Sequence, residues 1–366
     1  MIAHDIVVVG GSAGGVEALL EVARGLPAAL AANVLVTVHL AASSPSLLPA
    51  LVARVGSLPA SHPADRTPLI HGQIFVAPPD YHLLCTPDGV RLGVGPRENG
   101  YRPSIDVLFR TAARHFGPRV LGVILSGNLD DGTAGALEIR RCGGSVIAQD
   151  PDDTLHPSMP QSAIRAGAVD HVLPLAALAG DIDRMSRAGR QPTRVMIPSD
   201  DTLRAGRPRP GVDPQESGEP PGSAALSADA SVNEASGFTC PECHGALWEV
   251  RDGRLLRYRC RVGHAFSTEA LIHEQAQSVE AALWTALTAL EEHAAFNRRM
   301  VARLERDHNN SGTTRFLDRA RDLETRAETI RGVLARGPFG DPDAMSPPPA
   351  GLTPRRVGVH DSGDVA

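Results

Sequence analysis

The sequence predicts an α/β fold: a doubly wound, mostly parallel sheet with a hairpin excursion, joined to a small cysteine-bearing module and a C-terminal α-helical hairpin. Three observations carry this. Continuous apolar runs recur at residues 6–9, 34–38, 73–77, 120–125, 146–149 and 171–173, as in strands covered on both faces. Amphipathic stretches lie between most of them, the alternation that builds parallel βαβ units. From about residue 190 the periodic apolar pattern stops, and it resumes only after Gly237.

The first strand runs into Gly10-Gly11-Ser12-Ala13-Gly14-Gly15, with a helix expected from Gly14. Further helices are expected near Pro45, from Pro103 with Val107, Leu108 and Ala112 on one face, and from near Asp131 to Gly143-Gly144, a suitable C-terminal stop. Residues 73–94 differ. Turn signals at Pro78-Pro79-Asp80 and Pro87-Asp88-Gly89 divide them into short strands, read as an antiparallel hairpin excursion. The domain is therefore placed at 1–189. Residues 190–237, rich in Pro, Gly, Ser and Ala, read as a flexible linker. A small module follows at 238–266. Ser267, a residue type favoured at helix N-caps, opens a helical hairpin at 267–337. Its first stripe is Val279, Leu283, Leu287, Leu290, Val301 and Leu304; its second is Phe316, Ala320, Leu323, Ala327, Ile330 and Leu334, a pattern for helix pairing. The tail at 338–366 reads as disordered.

Composition excludes some function classes. The net charge of −6 gives no electrostatic case for nucleic acid or an anionic membrane as the main partner. No apolar run has the length of a transmembrane span, and no basic region precedes the first strand. Neither membrane insertion nor a signal peptide is expected. A cytoplasmic location is expected, which favours metal binding or plain burial over disulfides for the five cysteines.

Three residue types of a hydrolytic triad stand at the ends of predicted strands: Ser12 after 6–9, His39 after 34–38 and Asp131 after 120–125. In an open parallel sheet the functional crevice lies outside the carboxyl ends of the strands. A nucleophile, a base and an orienting acid at one edge suit acyl transfer. Gly10-x-Ser12-x-Gly14 matches a nucleophile elbow, in which small neighbours expose the hydroxyl and the following helix offers N–H groups to an oxyanion. The alternative is a phosphate- or dinucleotide-binding turn. Against it, the spacing is not G-x-G-x-x-G, and the second strand ends on His39 rather than on an acidic ribose ligand. His82, in the Pro78-Pro79-Asp80-Tyr81-His82 loop, is the second choice for the base. Asp130 competes with Asp131, and an Asp before Gly at a helix start is also a common cap. The order Ser–His–Asp differs from that of ordinary α/β-hydrolases.

These residues lie in motifs that together resemble the CheB-type protein-glutamate methylesterase catalytic domain of bacterial chemotaxis, from Ile6 to about Leu175. The motifs are Gly11-Ser12-Ala13-Gly14-Gly15, Val38-His39, Ala77-Pro78-Pro79-Asp80-Tyr81-His82, Arg102-Pro103-Ser104-Ile105-Asp106, Leu125-Ser126-Gly127, Asp131-Gly132, Ala148-Gln149-Asp150 and Ser158-Met159-Pro160. The resemblance implies Ser12 as nucleophile, His39 as base and Asp131, rather than Asp130, as the acid that orients it. It implies demethylation of glutamate methyl esters on the cytoplasmic helices of chemoreceptors, with glutamine deamidation as a second activity and no cofactor for catalysis. Ala13 and Gly14 are expected at the oxyanion site. Arg102 is either a contact to an acidic receptor helix or a surface residue, and His82 is a further substrate-contact candidate. Well-known members carry Thr-Gly-Met-Gly where this chain has Ser126-Gly127-Asn128-Leu129, so Asn128 and Leu129 line the expected site differently. The sequence opens on the catalytic domain rather than on a receiver domain, so control by phosphorylation within the chain is not expected.

Cys240-Pro241-Glu242-Cys243 and Cys260-Arg261-Val262-Gly263-His264 have the spacing of a structural metal site. Three thiolates and an imidazole suit tetrahedral Zn²⁺, and so short a module has too little core to fold alone. A zinc-ribbon-like module with a structural zinc on Cys240, Cys243, Cys260 and His264 is expected; the alternative is reduced cysteines packed under the helices. Five arginines between 251 and 261 make the module basic, yet the following helices are rich in Glu, so no nucleic acid partner is expected. The helices are expected to self-associate or to dock a signalling partner. A reading from another class makes the chain a catalytically degenerate adaptor acting through the zinc and helical region.

Overall fold

The computed structural model describes residues 4–40, 46–187, 234–252, 255–306 and 312–336. It divides into two compact units, Met1–Glu274 and Gln275–Ala366.

In the first unit, seven parallel strands form one sheet in the order β3-β4-β2-β1-β7-β8-β9. They are β1 (Ile6–Gly11), β2 (Asn33–Val38), β3 (Ala60–Ser61), β4 (Ile74–Val76), β7 (Val120–Ile124), β8 (Ser145–Gln149) and β9 (His171–Leu173). Every residue of β1 and β2 is buried, which accounts for their unbroken apolar runs. Side chains alternate between the two faces. Val7 and Val9 enter the core with α1 (Gly15–Gly25), α2 (Leu48–Val55) and α6 (Leu175–Arg187). Ile6 and Val8 face the other way, toward α3 (Ile105–Phe116), α4 (Thr133–Arg141) and α5 (Ser158–Arg165). The result is helices on both faces of the sheet.

The excursion is narrower than expected. Residues 74–76 pair parallel with β2 and belong to the main sheet. The antiparallel hairpin is β5 (His82–Thr86) with β6 (Gly89–Gly93), turning at Pro87-Asp88. It packs on α3, whose Thr111 Oγ1 accepts from the Cys85 N–H at 3.0 Å.

The cysteine module is a four-stranded antiparallel sheet in the order β10-β11-β12-β13. Its strands are β10 (Ala235–Thr239), β11 (Ala246–Asp252), β12 (Leu255–Cys260) and β13 (Ala265–Ser267). The first strand begins three residues before the expected module boundary, because Ala235 pairs with Trp248. The rest of the expected linker, 190–233, and the tail at 338–366 lie outside the described residues. The first unit also extends past the expected boundary at 266, since Leu271 packs with Tyr258 and Phe266 in the module's core. Ser267 caps the following helix α7 (Thr268–Arg306), its Oγ accepting from the Ala270 N–H at 3.0 Å.

In the second unit α7 pairs with α8 (Thr313–Leu334). Arg298 bonds Glu324, and Arg331 bonds Glu291, an order that makes the helices antiparallel. Leu287, Ala294, Ala320, Leu323 and Ala327 are buried. Val279 is exposed and does not belong to the seam. No helix among the described residues is long and apolar enough to cross a membrane.

Candidate active site

The chain order reverses at β1: β2 and β4 build outward on one side, and β7, β8 and β9 on the other. Such a switch point leaves a crevice at the carboxyl ends of the strands. Ser12 follows β1, His39 follows β2 and Asp131 follows β7. Backbone bonds tie the three ends together: Ser12 N–H donates to the Ser126 carbonyl at 3.0 Å, and His39 N–H to the Gly11 carbonyl at 3.2 Å.

Two glycines let these loops meet. Gly14 has φ 70°, a conformation other residues rarely adopt, and a Cβ there would lie 2.8 Å from Ser126 Oγ. At Gly127 a Cβ would lie 2.5 Å from Met159 Cε and 3.0 Å from Ser12 Cβ.

The three side chains form one relay. His39 Nδ1 lies 3.2 Å from Ser12 Oγ, and His39 Nε2 lies 2.9 Å from Asp131 Oδ2. A carboxylate only accepts, so Nε2 carries the proton and Nδ1 is free to accept from the serine hydroxyl. The imidazole is 5% exposed and the carboxylate 1%.

Asp131 is over-determined. Its Oδ2 also accepts from the Ile105 N–H at 2.7 Å, and its Oδ1 from Ser104 Oγ, Asn99 Nδ2 and the Asp106 N–H. Burial pushes this carboxyl up, but the hydrogen bonds from His39, the Ile105 N–H and the Asn99 amide together hold it below the ordinary carboxylate range. Asp106, beside it, is pushed up to about 6 by burial first and by the Asp131 charge second. Asp130 points elsewhere. Its Oδ1 accepts from Ser267 Oγ at 2.7 Å, and burial followed by Glu269, Asp106 and Asp131 raises it to about 7.

Residues 7–182 match the family model described as CheB methylesterase. Over this region the chain is similar to CheB methylesterase domains. A Rhodospirillum rubrum protein-glutamate methylesterase/protein-glutamine glutaminase 2 is 37% identical over 185 residues, covering 50% of this chain and 51% of its own. A Methanosarcina mazei protein of the same name is 35% identical over 192 residues, covering 50% and 52%. The chain therefore spans about half the length of the curated relatives it matches. The crystal structure of the Thermotoga maritima CheB methylesterase catalytic domain aligns with 50% of this chain and 100% of that one, at 28% identity and a TM-score of 0.48.

Within the matched region, the other expected site residues separate. Ala13 and Gly14 follow Ser12 in the turn that feeds α1. Asn128 is exposed and its Oδ1 meets His156 Nδ1 at 3.2 Å, while Leu129 has φ 60°. That left-handed conformation is one that glycine adopts at no steric cost, which fits Gly at this place in the Thr-Gly-Met-Gly pattern.

His82 is a correction. It is fully buried: its Nε2–H donates to the Pro96 carbonyl at 3.0 Å, and its Nδ1 accepts from the Ser104 N–H. It braces the loop before α3 and is neither a base nor a substrate contact. The Arg102 guanidinium bonds Asp80 and the carbonyls of Val94 and Gly95, which fastens the loop leading to α3.

Sequence reasoning missed Asn99, Ser104 and Asp106 as supports of Asp131. It also missed Tyr101, whose ring stacks on His39 at 3.6 Å between centroids and 10° between planes. The Ser104-Ile105-Asp106 stretch lay in a quoted motif; Tyr101 carried no signal, because only the fold brings it to His39.

In the module, the ligand atoms of Cys240, Cys243, Cys260 and His264 lie within 4.8 Å of one another. Cys243 Sγ is 3.6 Å from Cys260 Sγ, and His264 Nδ1 is 3.6 Å from Cys240 Sγ and 3.5 Å from Cys260 Sγ. Those sulfurs are too far apart for a disulfide. Tetrahedral bonds of about 2.3 Å to sulfur and about 2.0 Å to nitrogen give edges of roughly 3.5–3.8 Å, so the donor set fits such an ion.

Proposed function

We propose that this chain is a serine hydrolase that demethylates glutamate methyl esters on the cytoplasmic helices of chemoreceptor-like proteins, and that it deamidates glutamines by the same route. The relay Ser12 Oγ–His39 Nδ1, His39 Nε2–Asp131 Oδ2 carries this reading. The names of the relatives support the substrate class.

Ser12 Oγ attacks the ester carbonyl carbon while its proton passes to His39 Nδ1. The imidazolium that forms keeps its Nε2–H on Asp131, whose ionised state its hydrogen-bond shell favours. The Ala13 N–H, in the turn before α1, is the candidate donor to the developing oxyanion. As the tetrahedral intermediate collapses, Nδ1 returns the proton to the departing methoxy oxygen and methanol leaves. Water then attacks the acyl-serine with Nδ1 as base, releasing the glutamate carboxylate and restoring the serine hydroxyl. With a glutamine, ammonia leaves in place of methanol.

Cys240, Cys243, Cys260 and His264 hold a structural Zn²⁺ in this reading, supported by donor spacing; it takes no part in the reaction. The adaptor alternative is favoured by no distance within the relay.

Trapping tests the proposal. A methylated receptor peptide mixed with the protein and quenched in acid leaves a glutamyl adduct, lighter than the peptide by methanol, on the tryptic fragment containing Ser12. An adduct on a residue other than Ser12 would contradict a serine nucleophile.

A further inference from the structure

The segment that matches the family ends at residue 182, yet the surroundings of Asp131 do not end there. Three carboxylates lie close together and nearly inaccessible: Glu98, Asp106 and Asp131. Asn99 links two of them, its Nδ2 donating to Asp106 Oδ2 at 3.1 Å and to Asp131 Oδ1 at 3.0 Å. Three negative charges in one dry region are costly without cations. The matched domain supplies Arg110, which bonds Glu98 Oε1. The second guanidinium is Arg257, carried in on β12 of the cysteine module. It lies 3.0 Å from Glu98 Oε2 and 3.7 Å from Asp106 Oδ2. Its side chain is 12% exposed, so this member of the basic run is not a surface charge.

The module also fixes the linking amide. Ser267 N–H donates to Asn99 Oδ1 at 2.9 Å, which turns the Asn99 NH₂ toward the two aspartates. The Asn99 N–H donates to the Ala265 carbonyl at 2.7 Å, joining β13 to the turn that carries Tyr101 onto His39.

We infer that the cysteine module is a built-in part of the hydrolase site, and that Arg257 is a positioning residue for Asp131. Its charge balances the Glu98–Asp106–Asp131 cluster, while Ser267 orients the amide that joins Asp106 to Asp131. This rests on the hydrolase reading above. The other charged or titratable groups facing the cluster are His39 beyond β2, His82 on β5, Tyr101 before α3, Arg110 on α3, Asp130 before α4 and Arg259 on β12. Each stays in place when Arg257 alone is changed.

The test is the pH profile of Ser12 modification by a fluorophosphonate, which needs no receptor substrate. Removing a cation makes every nearby acid hold its proton more tightly, so Arg257→Gln moves the acid limb to higher pH by about one unit. Arg257→Lys returns it toward wild type. A purely structural role lowers the rate at every pH and leaves the limb in place; that result overturns the inference. If Arg257→Gln does not fold, as judged by thermal unfolding, the comparison is Glu98→Gln/Arg257→Gln against Glu98→Gln, with the same upward shift expected and an unmoved limb again overturning it. A wild type that does not react overturns the hydrolase reading and this one together. A reactive wild type whose limb ignores Arg257 overturns this one alone.

Discussion

Asp106 and Asp131 each cap the helix that begins beside the other. Asp131 accepts from the Ile105 and Asp106 N–H groups at the start of α3, at 2.7 and 3.2 Å. Asp106 Oδ1 accepts from the Gly132 and Gly135 N–H groups at the start of α4, at 3.1 and 2.7 Å. Helix N-termini favour negative charge and leave donors to be met. The acid of the relay is thus also a structural cap, and its substitutions should separate the two roles.

Asp131→Asn keeps a cap-competent oxygen but can set a donor against His39 Nε2–H, so the imidazole is pushed toward the wrong tautomer. Turnover should fall by roughly 10³- to 10⁴-fold, with the unfolding midpoint between those of wild type and Asp131→Ala because the Ile105 N–H shares the oxygen that His39 meets. Asp131→Ala should lose the cap as well, at about 1–2 kcal/mol in urea denaturation. Equal stability for the two variants would contradict the capping role.

Asp130 gives a pH-dependent prediction. Burial, with Glu269, Asp106 and Asp131 adding to it, raises its folded pKa to about 7, against roughly 4 in an unfolded chain. A raised folded value means stability that is full below the unfolded pKa and is lost as pH rises through the folded one. Asp130→Asn has no charge to bury and can still accept from Ser267. Its thermal midpoint should exceed that of wild type by several degrees at about pH 8 and match it at about pH 4. A gain of the same size at both pH values would show that charge burial is not the cause.

Tyr101 should matter through its ring. A stacked pair is worth about 0.5–1.5 kcal/mol, so Tyr101→Ala should slow methanol release by roughly 3- to 10-fold, and Tyr101→Phe should retain the wild-type rate. Loss in the Phe variant would assign the role to the hydroxyl instead.

The metal proposal predicts about one zinc per chain by elemental mass spectrometry of protein expressed with the metal. Cys243→Ser should lower both the zinc content and the midpoint of the module's unfolding. A stoichiometry near zero for wild type would remove the claim.

Much of the fold was legible because buried parallel strands leave unbroken apolar runs, and Val7–Val9 and Val34–Val36 are such runs. Ser12 and His39 were legible because each ends one. Choosing Asp131 over Asp130 needed the family motif, and the structure parts them by direction: Asp131 meets His39, whereas Asp130 meets Ser267. His82 misled because its buried bonds to Pro96 and Ser104 leave no trace in local sequence. Arg257, Asn99 and Tyr101 were beyond reach for the same reason. Arg257 meets Glu98 across a separation of 159 positions, and local pattern holds no record of such a contact.

The most direct measurement is methanol release from a methylated receptor cytoplasmic fragment by wild type and by Ser12→Ala in parallel. The account predicts release by wild type and a loss of about 10³-fold or more in the variant, with its fold intact. Equal release by the two proteins, or none from folded wild type across several methylated fragments, would contradict it.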